Sequence, residues 1–251
     1  MSLLEVNGTQ LHYEEHGEGE PMLLLHGALG TAQRHFQHLI PALSPHFRVV
    51  ACDLRGHGQT QHPRGPITLD HFLGDVIGLM DALGILGAHF VGYSMGGYLA
   101  LALHLRQPER VRSIVFHAVK YYWTPESIRE MVAGFDPDVM LAKQPKLAAI
   151  LQADHGTERW KMLLADLTPF QQGFDGPALL TDADFGRASC PILATLGDRD
   201  ELIPLDEVIR LRKANKTSEL AIMPNTRHPI QTVNPELFSW LVRDFIRRRV
   251  G

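Results

Sequence analysis

Apolar residues recur along the chain in two patterns. Short, unbroken apolar runs closed by glycine or a polar turn appear at PMLLLHG, FRVVACDLRG, AHFVGY and VRSIVFHA, and again at CPILATLGD and SELAIMPN. Runs of this kind are expected of strands covered on both faces. Between two of them, Leu69, Phe72, Val76, Leu79 and Leu83 recur at spacings of three and four, with Asp70, Asp75 and Asp81 off the stripe. That spacing predicts an amphipathic helix. Further helices are predicted from Ala32 to Leu43, from Met95 to Gln107 with Pro108 as its stop, and from about Pro235 to Arg249. The N-terminus behaves differently: LLEVNG and TQLHYEE meet at Asn7-Gly8, a strong hairpin signal. Strand and helix in alternation imply a mostly parallel, twisted sheet with helices on both faces, an α/β fold.

The alternation breaks near Val119. From Lys120 to Ala188 no strand pattern is visible, and helical stretches carry large side chains such as Tyr121, Tyr122, Trp123, Met131, Phe170 and Phe174. The expected organisation is a sheet domain built from residues 1–119 and 189–251, interrupted after its sixth strand by a helical segment, 120–188.

Composition and charge narrow the function classes. With 251 residues, 45% hydrophobic and 21% charged, the chain is long enough for a sizeable core, and a net charge of -4 argues against nucleic acid or an anionic membrane as partner. Cys52 and Cys190 both adjoin apolar runs and read as buried free thiols. No charged residue lies between Asp81 and Arg106, a span long enough for a bilayer. However, it contains five glycines and Ser94 and divides into a β-like and a helical half, so a buried strand and helix are expected. With no basic and apolar leader at the N-terminus, a cytoplasmic location is expected. His12 with His16, and His35 with His38, have the spacing of metal-ligand pairs but no cysteine or carboxylate set beside them. No metal, cofactor or phosphate loop is expected.

The chemistry concentrates in GYSMG, Gly92 to Gly96, which fits G-x-S-x-G with a strand before it and a helix after it. Such a turn holds the serine hydroxyl clear of the sheet and aims a helix N-terminus at it. A serine nucleophile needs a base, itself oriented by a carboxylate, in the chain order serine, acid, histidine. His228 is the only histidine beyond His155 and follows the last apolar strand. Asp198, Asp200 and Glu201 are the candidate acids. Asp200 is preferred because the loop must clear the strand before a carboxylate can turn towards His228, and Asp198 reads as a turn residue. The glycine turn at His26-Gly27-Ala28 places the Ala28 N–H to face that of Met95, a pair of oxyanion donors. His26 itself is expected to hold that loop in shape.

Taken in order, HGALG, DLRGHG, GYSMGG, GDRDELIP and RHPIQ resemble the α/β-hydrolase superfamily. The resemblance implies Ser94 as nucleophile, His228 as general base and then acid, Asp200 as its partner, and Ala28 with Met95 as oxyanion donors. It also implies that Arg55 and His57 brace a loop, and that 120–188 is a helical cap. Within the superfamily the chain is similar to small esterases, enol-lactonases and biphenyl-hydrolase-like enzymes. The expected function is cleavage of a small carboxylic ester or lactone through an acyl-Ser94 intermediate. Cofactor-free C–C bond hydrolysis and a low-turnover ligand-binding or signalling protein are the alternatives. Trp123, Phe135, Trp160 and Phe174 are the candidate pocket residues, and their character favours a small molecule with an apolar acyl part. A monomer or homodimer is expected.

Overall fold

A computed structural model describes residues 2–176 and 179–250. The hairpin forms as expected from β1 (Ser2–Val6) and β2 (Thr9–His16), with Val6 paired to Thr9. Asn7 and Gly8 both adopt positive φ, 49° and 71°, which matches the twist of the flanking strands. The apolar runs become β3 (Pro21–Leu25), β4 (Arg48–Cys52), β5 (Ala88–Tyr93), β6 (Val111–His117), β7 (Ile192–Gly197) and β8 (Glu219–Met223). Among the described residues these make one sheet in the order β1-β2-β4-β3-β5-β6-β7-β8. β2 joins β4 antiparallel, and every pairing from β4 to β8 is parallel. The central strands are buried along almost their whole length, because helices cover both faces.

The helices between strands are α1 (Ala32–Phe36), α2 (Ile40–Leu43), α3 (Leu69–Ala82) and α4 (Met95–Arg106). The single helix expected from Ala32 to Leu43 is thus two short ones. Pro41 is the cause: it has no N–H to offer the preceding turn and is tolerated only in the first turn of a new helix. In α3 the predicted stripe is buried from Leu69 to Leu79, with Leu83 half-buried at the C-cap, but Asp75, which lies off the stripe, is buried too. Asp75 accepts hydrogen bonds from Arg55 (2.8 Å) and Asn7 (3.0 Å), so it joins the hairpin, α3 and the loop after β4. The uncharged span between Asp81 and Arg106 divides into β5 and α4, and among the described residues no helix is long and apolar enough to cross a membrane. Cys52 and Cys190 are buried and free, and burial raises the pKa of both thiols.

Between β6 and β7 come α5 (Pro125–Gly134), α6 (Pro137–Lys143), α7 (Pro145–His155), α8 (Arg159–Gln172) and α9 (Asp182–Arg187), with no strand among the described residues. After β7, α10 (Leu205–Ala214) leads to β8, and α11 (Pro235–Arg249) closes the chain. The main core spans both faces of the sheet. A second, smaller core, formed by Met140, Ala148, Leu151, Trp160 and Leu164, lies wholly within the helical insertion.

Candidate active site

Ser94 occupies the turn between β5 and α4 with φ 48° and ψ -116°, a conformation a side-chain-bearing residue rarely adopts. Such a residue typically stores about 1–3 kcal/mol of strain and persists only where its surroundings over-determine it. Here the Ser94 N–H donates to the His117 carbonyl of β6 (2.9 Å), and the Ser94 carbonyl accepts from Gly97 N–H (3.1 Å). The two motif glycines let backbone approach backbone. A Cβ on Gly96 would overlap the Leu25 carbonyl of β3, and one on Gly92 would overlap the Gly97 backbone. The strand-turn-helix geometry read from GYSMG is therefore enforced on both sides of the serine.

His228 and Asp200 meet across two loops. Nδ1 of His228 lies 3.0 Å from Oδ2 of Asp200 and 3.2 Å from Oδ1, and the carboxylate is 1% exposed. Oδ1 also accepts from the N–H groups of Leu202 (2.8 Å) and Ile203 (2.9 Å). Burial alone would raise the Asp200 pKa, but the hydrogen bonds from His228 and these amides outweigh it and hold the carboxyl below its ordinary value. With Nδ1 turned to the carboxylate, Nε2 is the imidazole nitrogen left for other work. The ring packs on Tyr93, the residue before Ser94, with centroids 5.5 Å apart.

The competing acids point elsewhere. Asp198 accepts the Thr226 N–H (3.0 Å) and so zips the two loops together, while Glu201 pairs with Arg227 at the surface.

Opposite the serine, the loop after β3 is held by four buried histidines. His26 accepts the Leu54 N–H at Nε2 (2.9 Å) and donates from Nδ1 to the Gly27 carbonyl (2.8 Å). His57 accepts from Leu29 N–H (3.3 Å) and donates to the Arg55 carbonyl (2.9 Å). His155, from α7, accepts from Gly58 N–H (2.8 Å) and donates to the Leu29 carbonyl (3.1 Å), while His35 accepts from Gly27 N–H (3.3 Å). Each ring thus takes a backbone N–H on one nitrogen, which requires that nitrogen to carry no proton. Burial lowers the pKa of all four, and neighbouring imidazoles reinforce the effect at His35 and His57. His26 is lowered to about 4. Leu29 itself is held at φ 62°. His26 and His57 brace the loop as expected. His35 and His155 had no periodicity or motif to reveal them. Among the described residues no group of three or more His, Cys, Asp or Glu is arranged to hold a metal.

Ser94, Ala28 and Met95 line one cavity of about 100 Å³. The insertion supplies most of its remaining wall: Lys120, Trp123, Met131, Leu167, Phe170, Gln171 and Phe174, with Tyr98 from α4. Trp123 stacks on Phe174, centroids 4.7 Å apart and planes 6° from parallel.

Residues 20–144 match the family model of the alpha/beta hydrolase fold. The serine hydrolase BPHL of Mus musculus is 30% identical over 253 residues, covering 96% of this chain and 84% of the relative. The chain belongs to the α/β-hydrolase fold family. A 2-hydroxy-6-oxo-2,4-heptadienoate hydrolase of Pseudomonas putida is 28% identical over 95% of this α/β-hydrolase chain and 93% of its own. Among solved structures, the meta-cleavage product hydrolase CumD of Pseudomonas fluorescens superposes with a TM-score of 0.81 at 28% identity, covering 99% of this chain and 97% of its own. The enol-lactonase of Burkholderia xenovorans gives 0.80 at 26%, covering 98% and 99%.

Two of the four aromatic pocket candidates of this α/β hydrolase lie elsewhere. Trp123 and Phe174 line the cavity, whereas Trp160 is buried in the insertion's own core and Phe135 packs between the two cores. The cause is the course of α8: Trp160 and Leu164, in its first half, pack with residues of α6 and α7, and Leu167 and Phe170, further along the helix, line the cavity. Leu167, Phe170 and Gln171 were not among the pocket candidates read from sequence, although the helical spacing that continues to Phe174 was there to find them.

Proposed function

We propose that this α/β hydrolase cleaves a small carboxylic ester or lactone through an acyl-Ser94 intermediate. The reading rests on one observation: a strained serine at a helix N-terminus shares a cavity with Ala28 and Met95, while a buried Asp200 fixes His228 against Tyr93. Nε2 of His228 takes the Ser94 proton as Oγ attacks the substrate carbonyl. The backbone N–H groups of Ala28 and Met95 receive the oxyanion of the tetrahedral intermediate. His228 then returns the proton to the departing alcohol, and a water activated by the same imidazole releases the acid. In a lactone the alcohol stays tethered to the product.

The insertion acts as a cap, and its aromatic walls favour an apolar acyl part. A monomer or homodimer in the cytoplasm suits a site that is complete within one chain. C–C bond hydrolysis is the second reading, favoured by the Pseudomonas putida relative and by CumD, each similar to this chain over nearly its whole length.

The test is intact mass after brief exposure to a fluorophosphonate, on the wild type and on Ser94→Ala. A single adduct on the wild type and none on the variant is expected. No adduct on the wild type overturns the activated serine. A panel of p-nitrophenyl esters, lactones and vinylogous diketones then separates the two readings.

A further inference from the structure

The face that α8 turns towards Ser94 breaks its own pattern. Leu167, Phe170, Gln171 and Phe174 stand at i, i+3, i+4 and i+7, the spacing of one helical face, and all four line the cavity that holds Ser94. Three are apolar. Gln171 carries a primary amide, is 4% exposed, and its amide oxygen has no hydrogen-bond partner among the described residues. A buried amide oxygen without a partner opposes folding, and a leucine at this position would not. Such conflicts between local pattern and residue type concentrate at functional positions.

The helix is held in this orientation. The Asp166 carbonyl accepts the Ile67 N–H (2.7 Å), and its carboxylate pairs with Arg64 (3.1 Å). A second buried polar atom on the cavity's residues, the Trp123 indole N–H, also lacks a partner among the described residues, and stacking on Phe174 fixes its plane. Lys120 is already engaged, with its ammonium 2.9 Å from Glu207 and over the Trp123 ring.

We infer that Gln171 is the specificity-determining residue of the cavity, where it hydrogen-bonds a hydroxyl carried by an otherwise apolar, aromatic acyl group. The inference rests on the proposed acyl-Ser94 reading and names its substrate class: esters of hydroxylated aryl acids. The amide oxygen accepts the substrate O–H, and Trp123 is the donor available in the same wall. Without Gln171 the cavity would select the unsubstituted ring, because a hydroxyl entering an apolar site gives up its water without return.

The experiment compares p-nitrophenyl 3-phenylpropanoate with its 3-hydroxyphenyl and 4-hydroxyphenyl counterparts, on the wild type, Gln171→Met and Gln171→Leu. In the wild type, kcat/KM should favour at least one hydroxylated ester, and both variants should lose that preference by about 10- to 100-fold. A wild type that prefers the parent ester, or a hydroxyl preference that survives in both variants, overturns the inference. Titration calorimetry of the three free acids, with and without Gln171→Met in a Ser94→Ala background, reads the same ratio without turnover. Fluorophosphonate labelling keeps the two ideas apart. A labelled Ser94 with no hydroxyl preference removes the role of Gln171 and leaves the hydrolase. An unlabelled and inactive wild type removes the hydrolase, and the binding ratio still decides Gln171.

Discussion

The cavity around Ser94 has two walls, and they are held by different means. The wall given by the sheet is fixed by backbone: Ser94 hangs between β6 and α4, and the Ala28 loop is pinned by four neutral imidazoles. The wall given by the insertion is made of side chains. Trp123, Leu167, Phe170 and Phe174 are placed by packing against the main core, and polar clamps add to this apolar contact between the insertion and the sheet domain. Arg159 donates to the carbonyls of Gly58 (3.1 Å) and Thr60 (2.8 Å), Arg34 pairs with Asp154, and Arg210 of α10 donates to Asp182 (2.8 Å). Backbone-built sites tolerate little displacement, since donors must meet a developing charge within tenths of an ångström. Side-chain walls repack at modest cost when volume is kept. Chemistry on the rigid wall and selection on the adaptable one is the division these contacts imply.

Substitutions on the two walls should therefore differ in kind. On the sheet wall, Ser94→Ala should lower kcat by on the order of a million-fold, measured against a p-nitrophenyl ester. Asp200→Asn should cost on the order of 10⁴-fold, because an amide no longer selects the productive tautomer of His228. Asp198→Asn should stay within about tenfold, since its carboxylate receives a loop amide rather than the imidazole. A larger loss at Asp198 than at Asp200 would reverse the assignment of the acid.

In the insertion, Trp160→Ala should destabilise by about 3–5 kcal/mol, seen as a fall in Tm on the order of 10 °C. Ser94 should still react with the fluorophosphonate at room temperature. If labelling vanishes while the fold survives, the two walls are coupled more tightly than their contacts imply.

The imidazoles make the sheet wall sensitive to acid. His26 takes its proton only near 4 when folded, against 6.5 in the unfolded chain. Between those values the unfolded state binds more protons, so stability falls as pH is lowered through that window and is unaffected above it. A calorimetric Tm that is flat above pH 7 and declines below about 6.5 is expected, with a shallower decline in His26→Asn. A Tm independent of pH over this range would contradict the neutral tautomers. The smallest effect is expected for Arg159→Ala, which loosens one clamp and should raise KM by about three- to tenfold with kcat nearly unchanged.

Sequence made the sheet wall legible and left the other mostly hidden. Unbroken apolar runs, the Asn7-Gly8 turn and the glycines around Ser94 each follow from local rules of chain geometry, and the structure places them as read. His228 was chosen by elimination and Asp200 by the reach of its loop, and the structure brings the two side chains within 3.0 Å. The failures have a common source. Asp75 is buried because Arg55 and Asn7, distant in sequence, arrive to pair with it. Trp160 and Phe174 differ in role because α8 passes from one core to the other, which no property of either aromatic announces. The bracing roles of His35 and His155 depend on which carbonyl or amide the fold brings within 3.3 Å.

One of those histidines limits how freely this scaffold can be re-engineered. His155 belongs to the helical insertion, yet it donates to the carbonyl of Leu29, the residue next to Ala28. The insertion is therefore not a detachable module. A chimera that carries a relative's segment in place of 120–188 loses a support of the Ala28 loop along with the old pocket, unless His155 and Arg159 are transplanted with it. Libraries confined to Trp123, Met131, Leu167, Phe170, Gln171 and Phe174 leave that support intact, and they are the sounder route to new substrates.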